Sequence, residues 1–450
     1  MQYNKVANTK SNCGELTMYI IPQTNLFDYS EIEELGDLER LDLAFDGIDA
    51  DRLMEKLEAK RGKGRNDYPI RVMWNLLIAM IVFEYKKVSP FLRELRRNAQ
   101  ARRKCGLCYM KSRHLVPPNR VFTGFLKSLA NEAEELAEMF KEQVAMLYVL
   151  IPGFGEKLAG DGKYIESFAK RKANQDQMVT DNRSENDAQW STKEYPYTDK
   201  SGKKQVKKEH HFGFKAHIIC DVATELPVAF SVTAANADEK KEMMKLLSCP
   251  LLSEKSRREI AQYFLLDRGY DSEKMILSIK SMGINPIVDI RNCWKDGETT
   301  KQYKNTDIVY DAYGNVFHYD VVDTLNRKTG ELKREWVPVK MKYEGYDKQK
   351  NCLRYSHKGK THKIYISYDE RIFLPVARDS EKFKRLYKGR TAVERLNGRL
   401  DRDYMFEEHC IRGLKKMNLM VTLSMIIMNG MAVGKLKNGK EKIRSLKNTA

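Results

Sequence analysis

Three acidic residues stand where a carboxylate can do chemistry. Asp161 follows the short apolar run Leu158-Ala159 and precedes Gly162, and Asp267 closes the strand-like run Tyr263-Phe-Leu-Leu-Asp267 before Arg268-Gly269. Glu394 lies in Leu386 to Asp403. Read as a helix, that stretch puts Tyr387, Arg390 and Glu394 on one stripe, since residues three and four apart are surface neighbours. Arg390, Arg395, Arg399 and Arg402 then surround the acid. Ligand sites in α/β folds gather at strand ends, so two acids on neighbouring strands and a third on a packing helix could meet. Carboxylates that close raise one another's pKa unless cations neutralise them. Mg²⁺ or Mn²⁺, hard ions that take oxygen ligands, are the natural answer. A pair of such ions, about 3.5–4 Å apart, suits phosphodiester cleavage and transfer. Spacing alone leaves the plainer reading open. Aspartates often end strands in turns, and an arginine-rich helix can be a solvated face of i,i+4 pairs.

The bulk of the chain favours a polyanionic partner. Lys and Arg number 80 against 62 Asp and Glu, a net charge of +18, with a sequence pI near 9.3. Such an excess points to nucleic acid before membrane. The length of 450 residues predicts two to four domains. Of the eight cysteines only Cys105 and Cys108 have metal-like spacing, and no second pair completes a zinc site. No signal peptide is evident. Reduced thiols and a cytoplasmic location are therefore expected. Met417 to Val433 is apolar but short for a span of about 20 residues and is broken by Asn418, Asn429 and Gly430, so it reads as a buried core helix.

Taken in order, residues 1–35 form an extension without a clear period, and 36–150 read as an all-helical domain with a basic face, able to dock on DNA, though a plain helical bundle with solvated charges has the same pattern. Within it, Leu38 to Arg61 has a helical pattern and Pro69 opens a long apolar helix. The texture changes at Pro152-Gly153. Residues 174–209 read as a long polar surface loop carrying Lys200, Lys203, Lys204, Lys207 and Lys208. A hairpin is expected from Phe212–Asp221 and Leu226–Thr233, and a helix capped by Asp238 follows. The strand ending at Asp267, a helix from Ser272 and a strand over Gly283–Ile290 complete the first part of an α/β core, 151–290. Residues 291–380, polar and rich in strand-prone aromatics, form a β-rich insertion. The core resumes over 381–433, and 434–450 is a basic, mobile tail.

These motifs, in this order, resemble the DDE class of bacterial insertion-sequence transposases, and the likeness spans most of the chain. Tyr68-Pro-Ile-Arg-Val-Met-Trp-Asn-Leu-Leu and Leu92-Arg-Glu-Leu-Arg-Arg-Asn98 resemble the family's N-terminal helical domain. Asp161-Gly-Lys-Tyr-Ile-Glu-Ser resembles its first aspartate motif. Gly213-Phe-Lys-Ala-His217, Asp221, Leu226-Pro227 and Ala235-Asn-Ala-Asp238 resemble the hairpin region after it. Asp267-Arg-Gly-Tyr-Asp271 resembles the second motif, and Tyr387-x2-Arg390-x3-Glu394 the signature around the third acid.

The resemblance implies a ribonuclease-H-like mixed sheet flanked by helices, with the β-rich insertion placed before the last catalytic helix. Asp161, Asp267 and Glu394 would be the catalytic and metal-binding set, holding two Mg²⁺ ions, with Mn²⁺ able to substitute. Tyr387 and Arg390 would contact DNA near the cleaved bond. Lys163 and Arg268, inside the aspartate motifs, are further expected DNA contacts. The family signature often continues to a lysine seven residues after the glutamate. Asp401 stands there instead, and the neighbouring Arg402 is the expected cation. Trp294, in the insertion, is a candidate to brace a flipped base, or equally an aromatic of the insertion's own core. Asp271 and Asp289 read as supporting or turn residues, and His210, His211 and His217 as ordinary polar residues. The implied activity is binding of terminal inverted repeats, cleavage at their ends and transfer of 3′-hydroxyls into target DNA. The partners are double-stranded DNA and a second copy of the chain, with no membrane. Two rivals stand beside this reading: a DNA-binding regulator without catalysis, and a metal-dependent nuclease without strand transfer.

Overall fold

Apolar residues with a helical period assemble the first part of the chain. The computed structural model describes residues 37–62, 67–107, 115–169, 185–198, 203–249, 260–325 and 332–439. The helices are α1 (Asp37–Gly47), α2 (Asp51–Arg61), α3 (Ile70–Val82), α4 (Val88–Arg97), α5 (Ala99–Lys104), α6 (Asn119–Leu129) and α7 (Ala133–Leu150). Helix α3 is apolar on nearly every face, and eleven of its residues from Ile70 to Val82 are buried. A helix of that kind belongs in the middle of a core. The helical pattern of Leu38–Arg61 divides in two, because α1 ends at Gly47 where it meets the last helix of the chain. A Cβ on Gly47 would lie 1.7 Å from the Gly430 carbonyl oxygen, so only glycine permits that backbone approach.

The central sheet follows. Its strands are β1 (Lys157–Glu166), β2 (Gln189–Thr198), β3 (Lys204–Asp221), β4 (Pro227–Ala234), β5 (Tyr263–Leu266) and β6 (Asn285–Val288). Helices α8 (Glu239–Leu247) and α9 (Glu273–Ser281) alternate with them. Asp238 caps α8 by accepting from Lys240 N and Lys241 N, and Ser272 caps α9 through Met275 N. Across the sheet the order is β4–β3–β1–β5–β6. The β3 pairings with β1 and β4 are antiparallel, and β1–β5–β6 are parallel. The fold is mixed α/β.

The expected hairpin is present as β3 and β4, but β3 begins at Lys204 and pairs first with β2. Much of the predicted 174–209 loop is therefore a β-ribbon. The pattern was hidden because this ribbon has little buried face, and Trp190, Tyr197 and Val206 stand exposed on it. Lys207 and Lys208 are paired there with Glu209 and Glu194 at 2.7 and 2.9 Å.

Between β6 and the next helix run two small antiparallel sheets. One contains β7 (Thr300–Gln302), β8 (Ile308–Asp311), β9 (Val316–Leu325) and β10 (Leu332–Lys340). The other contains β11 (Lys342–Asp347), β12 (Cys352–His357) and β13 (Lys360–Tyr365). They share a separate apolar core that includes Ile308, Val316, Tyr355 and Ile364. Asp271 ties this insertion to the central sheet. It is buried, and accepts from Arg371 Nη2 at 2.6 Å and from the Arg291 amide at 3.2 Å.

The chain then forms α10 (Glu381–Tyr387), a 3₁₀ turn over Lys388–Arg390, α11 (Thr391–Arg402) and α12 (Leu414–Lys437). Helix α12 is long and apolar enough to cross a membrane, yet 89% of its most apolar window is buried inside the protein. It packs on α1, α7 and β4, and Asn429, a polar interruption, donates to the Pro227 carbonyl at 3.2 Å. It continues through Gly434–Lys437, residues read from sequence as the start of a mobile tail. The 1–35 extension, Cys108, Lys200 and the tail beyond residue 439 lie outside the described residues.

Candidate active site

The parallel strands carry an acidic row. Lys157 pairs with Tyr263 and Ala159 with Leu265, while Tyr263 pairs with Asn285 and Leu266 with Val288. Counted along this register, Asp161, Asp267 and Asp289 occupy equivalent positions on adjacent chains. They mark the carboxyl edge of β5 and β6, where α/β sheets place their ligands. Asp161 itself is not at a strand end. Its parallel pairing with β5 stops at Ala159, but β1 continues against β3 to Glu166.

Helix α11 and the turn before it roof this edge, packing on β1, β3 and β5. A Cβ on Gly389 would come within 2.9 Å of Val222 Cγ1 and 3.0 Å of Leu265 Cδ2, so the turn touches the sheet only because residue 389 has no side chain. Asn397 Nδ2 reaches Asp161 Oδ2 at 3.3 Å. Farther along the helix, Asp401 Oδ2 accepts from Lys163 Nζ at 2.6 Å. The remaining arginines hold the helix down. Arg395 Nε donates to Glu225 Oε1 at 2.6 Å, and the buried Arg399 donates to the Glu225 carbonyl in the β3–β4 turn.

The proposed acids are not equally placed. Asp161 and Asp267 are close enough to act on each other electrostatically. Burial pushes the Asp161 carboxyl up to about 6, the Gly162 amide opposes this, and the charges of Asp267 and Glu239 add to it. Glu394 is exposed over 48% of its side chain and is gripped by Arg390 Nη2 at 2.6 Å. The three acids do not form a cluster with ligand atoms within 4.8 Å of one another. Arg390 acts on both sides of the set: it pairs with Glu394, and its charge opposes the rise at Asp161.

Two further groups lie beside these acids. Glu239, at the start of α8, faces Gly162 and takes an ion pair from the buried Lys215 at 2.8 Å. The Tyr270 hydroxyl is buried among these acids without a hydrogen-bond partner in the structure. Burial, then Asp161, Glu239 and Asp267, raise its pKa well above the ordinary phenol value. Adjacent carboxylates, one with its pKa raised, beside an orphaned hydroxyl make a donor set that suits a hard divalent cation.

The expected DNA contacts stand in different surroundings. Tyr387 stacks on Phe383 with ring centroids 5.8 Å apart, and Arg390 lies 5.8 Å from the Tyr387 ring. Burial, followed by the charge of Asp289, raises the Tyr387 pKa. Arg268 is exposed beside Asp267, and Arg402 is exposed with Nε on the Gly398 carbonyl. Lys163, by contrast, is engaged by Asp401. Trp294 is half-buried on the insertion core, edge-on to Tyr310 and covered by Lys301 at 4.7 Å. His217 is buried and bonds Thr233 at 3.0 Å.

Glu239, Asn397 and Tyr270 were not singled out from sequence as site residues. Tyr270 had a signal, its place in the Asp267 motif, whereas Glu239 and Asn397 enter only through long-range packing.

Residues 180–429, more than half of the chain, match the family model of the transposase DDE domain. The chain belongs to the DDE transposase family. Asp267 and Glu394 fall inside the matched segment of this transposase, and Asp161 lies ahead of it. No curated protein matches the chain.

Proposed function

We propose that this transposase binds the inverted repeats at the ends of its own element, cuts there, and joins the freed 3′-hydroxyls to target DNA. The observation that carries this reading is the register that sets Asp161 beside Asp267 under the α11 roof. The sheet order supports a ribonuclease-H-like core built from 151–290 and 381–433. Residues 36–150 serve as the DNA-docking domain and 291–380 as an insertion. Double-stranded DNA and a second copy of the chain are the partners, because two ends must be paired before joining.

Asp161 and Asp267 would hold Mg²⁺ or Mn²⁺, with Glu394 completing the set. A pair of such ions, when bound, activates the attacking oxygen and stabilises the leaving one. The remaining work belongs to the chain. Arg390 and Tyr387 grip the phosphate next to the cut, and Arg268 and Arg402 hold the flanking backbone. Arg390 exchanges the Glu394 carboxylate for a DNA phosphate, which frees Glu394 to turn toward Asp161. Asn397 keeps Asp161 oriented. The Glu394–Arg390 pair also suits a DNA-binding regulator that never cuts, and a metal-dependent nicking assay separates the two.

The test is cleavage of a terminal-repeat duplex in Mg²⁺. Asp161→Asn, Asp267→Asn and Glu394→Gln each lose cleavage while retaining binding of the ends. Undiminished cutting by any of them overturns the acidic set.

A further inference from the structure

We propose that the inserted β-rich segment carries a structural transition-metal site of the Zn²⁺ class, formed by His318, Asp320 and His357, with His362 at its margin. His318 and Asp320 alternate on β9 and so face the same way, and His357 is the last residue of β12. His318 Nδ1 lies 3.1 Å from Asp320 Oδ1, and His357 Nε2 lies 2.9 and 3.0 Å from the two Asp320 oxygens. Among the described residues this is the one group of three His, Cys, Asp or Glu side chains whose ligand atoms fall within 4.8 Å of one another.

The spacing suits a tetrahedral ion. Donors bound at about 2.0–2.1 Å sit roughly 3.3 Å from one another, so each histidine nitrogen needs to part from Asp320 by only a few tenths of an ångström. The site is enclosed but not sealed, with side-chain exposures of 22% for His318, 10% for His357 and 9% for Asp320. The His318 and His357 rings lie 4.6 Å apart and nearly parallel. The His362 ring, on β13, lies 5.6 Å from the His318 ring. Imidazole-rich donors favour zinc-like ions over Mg²⁺, which separates this site chemically from the carboxylate row of the central sheet.

Its place in the fold gives the ion a task. His318 and Asp320 belong to the β7–β10 sheet, and His357 and His362 to the β11–β13 sheet. The small apolar core between the sheets is one that a metal staple would reinforce. Lys358 Nζ also reaches Asp320, at 3.0 Å, but its side chain is 71% exposed and can withdraw to solvent.

The experiment uses the full chain, stripped with a chelator and titrated with Zn²⁺ against a chromophoric competitor, then with Co²⁺. One equivalent of Zn²⁺ is expected, retained in Asp161→Asn and lost in His318→Gln and His357→Gln, with a rise in Tm on zinc addition only where it binds. Lys358→Ala tightens binding several-fold by removing the competing cation. Co²⁺ gives the absorption of a tetrahedral nitrogen and oxygen site, readable on the unaltered chain even if a histidine variant fails to fold. Unchanged Zn²⁺ uptake in either histidine variant, no uptake by the unaltered chain, or thiolate charge-transfer bands on Co²⁺ would each overturn the site. Because the readouts are metal binding and Tm, failure here is distinguishable from failure of the cleavage reading.

Discussion

Lys163 and Asp401 form an ion pair at 2.6 Å that fastens the strand of Asp161 to the helix of Glu394. The position where the family pattern often has lysine thus carries an acid, and a lysine on the neighbouring strand answers it. Both side chains are largely shielded, at 12% and 31% exposure, so the pair holds more firmly than a surface bridge.

Removing the acid should therefore have two effects. Asp401→Asn lowers stability by about 1–2 kcal/mol, between the exposed and buried limits for a broken pair. It also releases Lys163 toward the DNA. Chemical denaturation reads the first effect. A salt titration of DNA binding reads the second, with a slope steeper by about 0.9 if Lys163 gains a phosphate. An unchanged slope would mean that Lys163 stays off the DNA.

Asp161 predicts a pH dependence whose sign is set by burial. Its carboxyl titrates near 6 in the fold against 3.8 ordinarily, so the folded protein holds that proton more tightly than the unfolded chain. The stabilisation is complete below about pH 4 and is lost as pH rises through 6. Without metal, Asp161→Asn should be more stable than the parent at pH 7.5, by about 1–2 kcal/mol after allowance for its partial exposure. The gap should close toward pH 4. A variant no more stable at neutral pH would show that Asp161 is not strained there.

Divalent ions should act in the opposite sense. Mg²⁺ or Mn²⁺ raises Tm in the parent at pH 7.5 and much less at pH 5, where protons occupy Asp161. Chelation reverses the rise, and Asp161→Asn and Asp267→Asn abolish it. Equal rises in parent and variants would place the ion elsewhere.

Gly389→Ala tests the roof. The new methyl would press on Val222 and Leu265, costing about 1–3 kcal/mol and lifting the turn that carries Arg390. Cleavage should fall further than DNA binding. A variant with parental stability and cleavage would show that the close approach is dispensable.

How much of this was legible depended on what each residue faces. The strands bearing Asp161 and Asp267 were readable because Leu158, Ala159, Phe264, Leu265 and Leu266 are fully buried and leave unbroken apolar runs. The ribbon of β2 and the first half of β3 was not, since Lys-Lys-Glu-His-His gives no alternation when neither face is covered. The 3.6-residue period correctly grouped Tyr387, Arg390 and Glu394, but not the direction each would take. Glu394 turned to its own arginine, and Asn397 and Asp401 took the inward face. The Lys163–Asp401 pair was not legible, because the Asp161 motif says nothing of a helix more than two hundred residues away.

The contact of Gly47 with Gly430 joins the first described helix to the last. Helix α1 also packs on α3, but its broadest contact, with α12, forms only after nearly the whole message has been translated. A ribosome that stops short of α12 releases a chain whose amino-terminal helices cannot finish packing. Synthesis of α12 is thus the step that brings α1, α7 and β4 their shared partner.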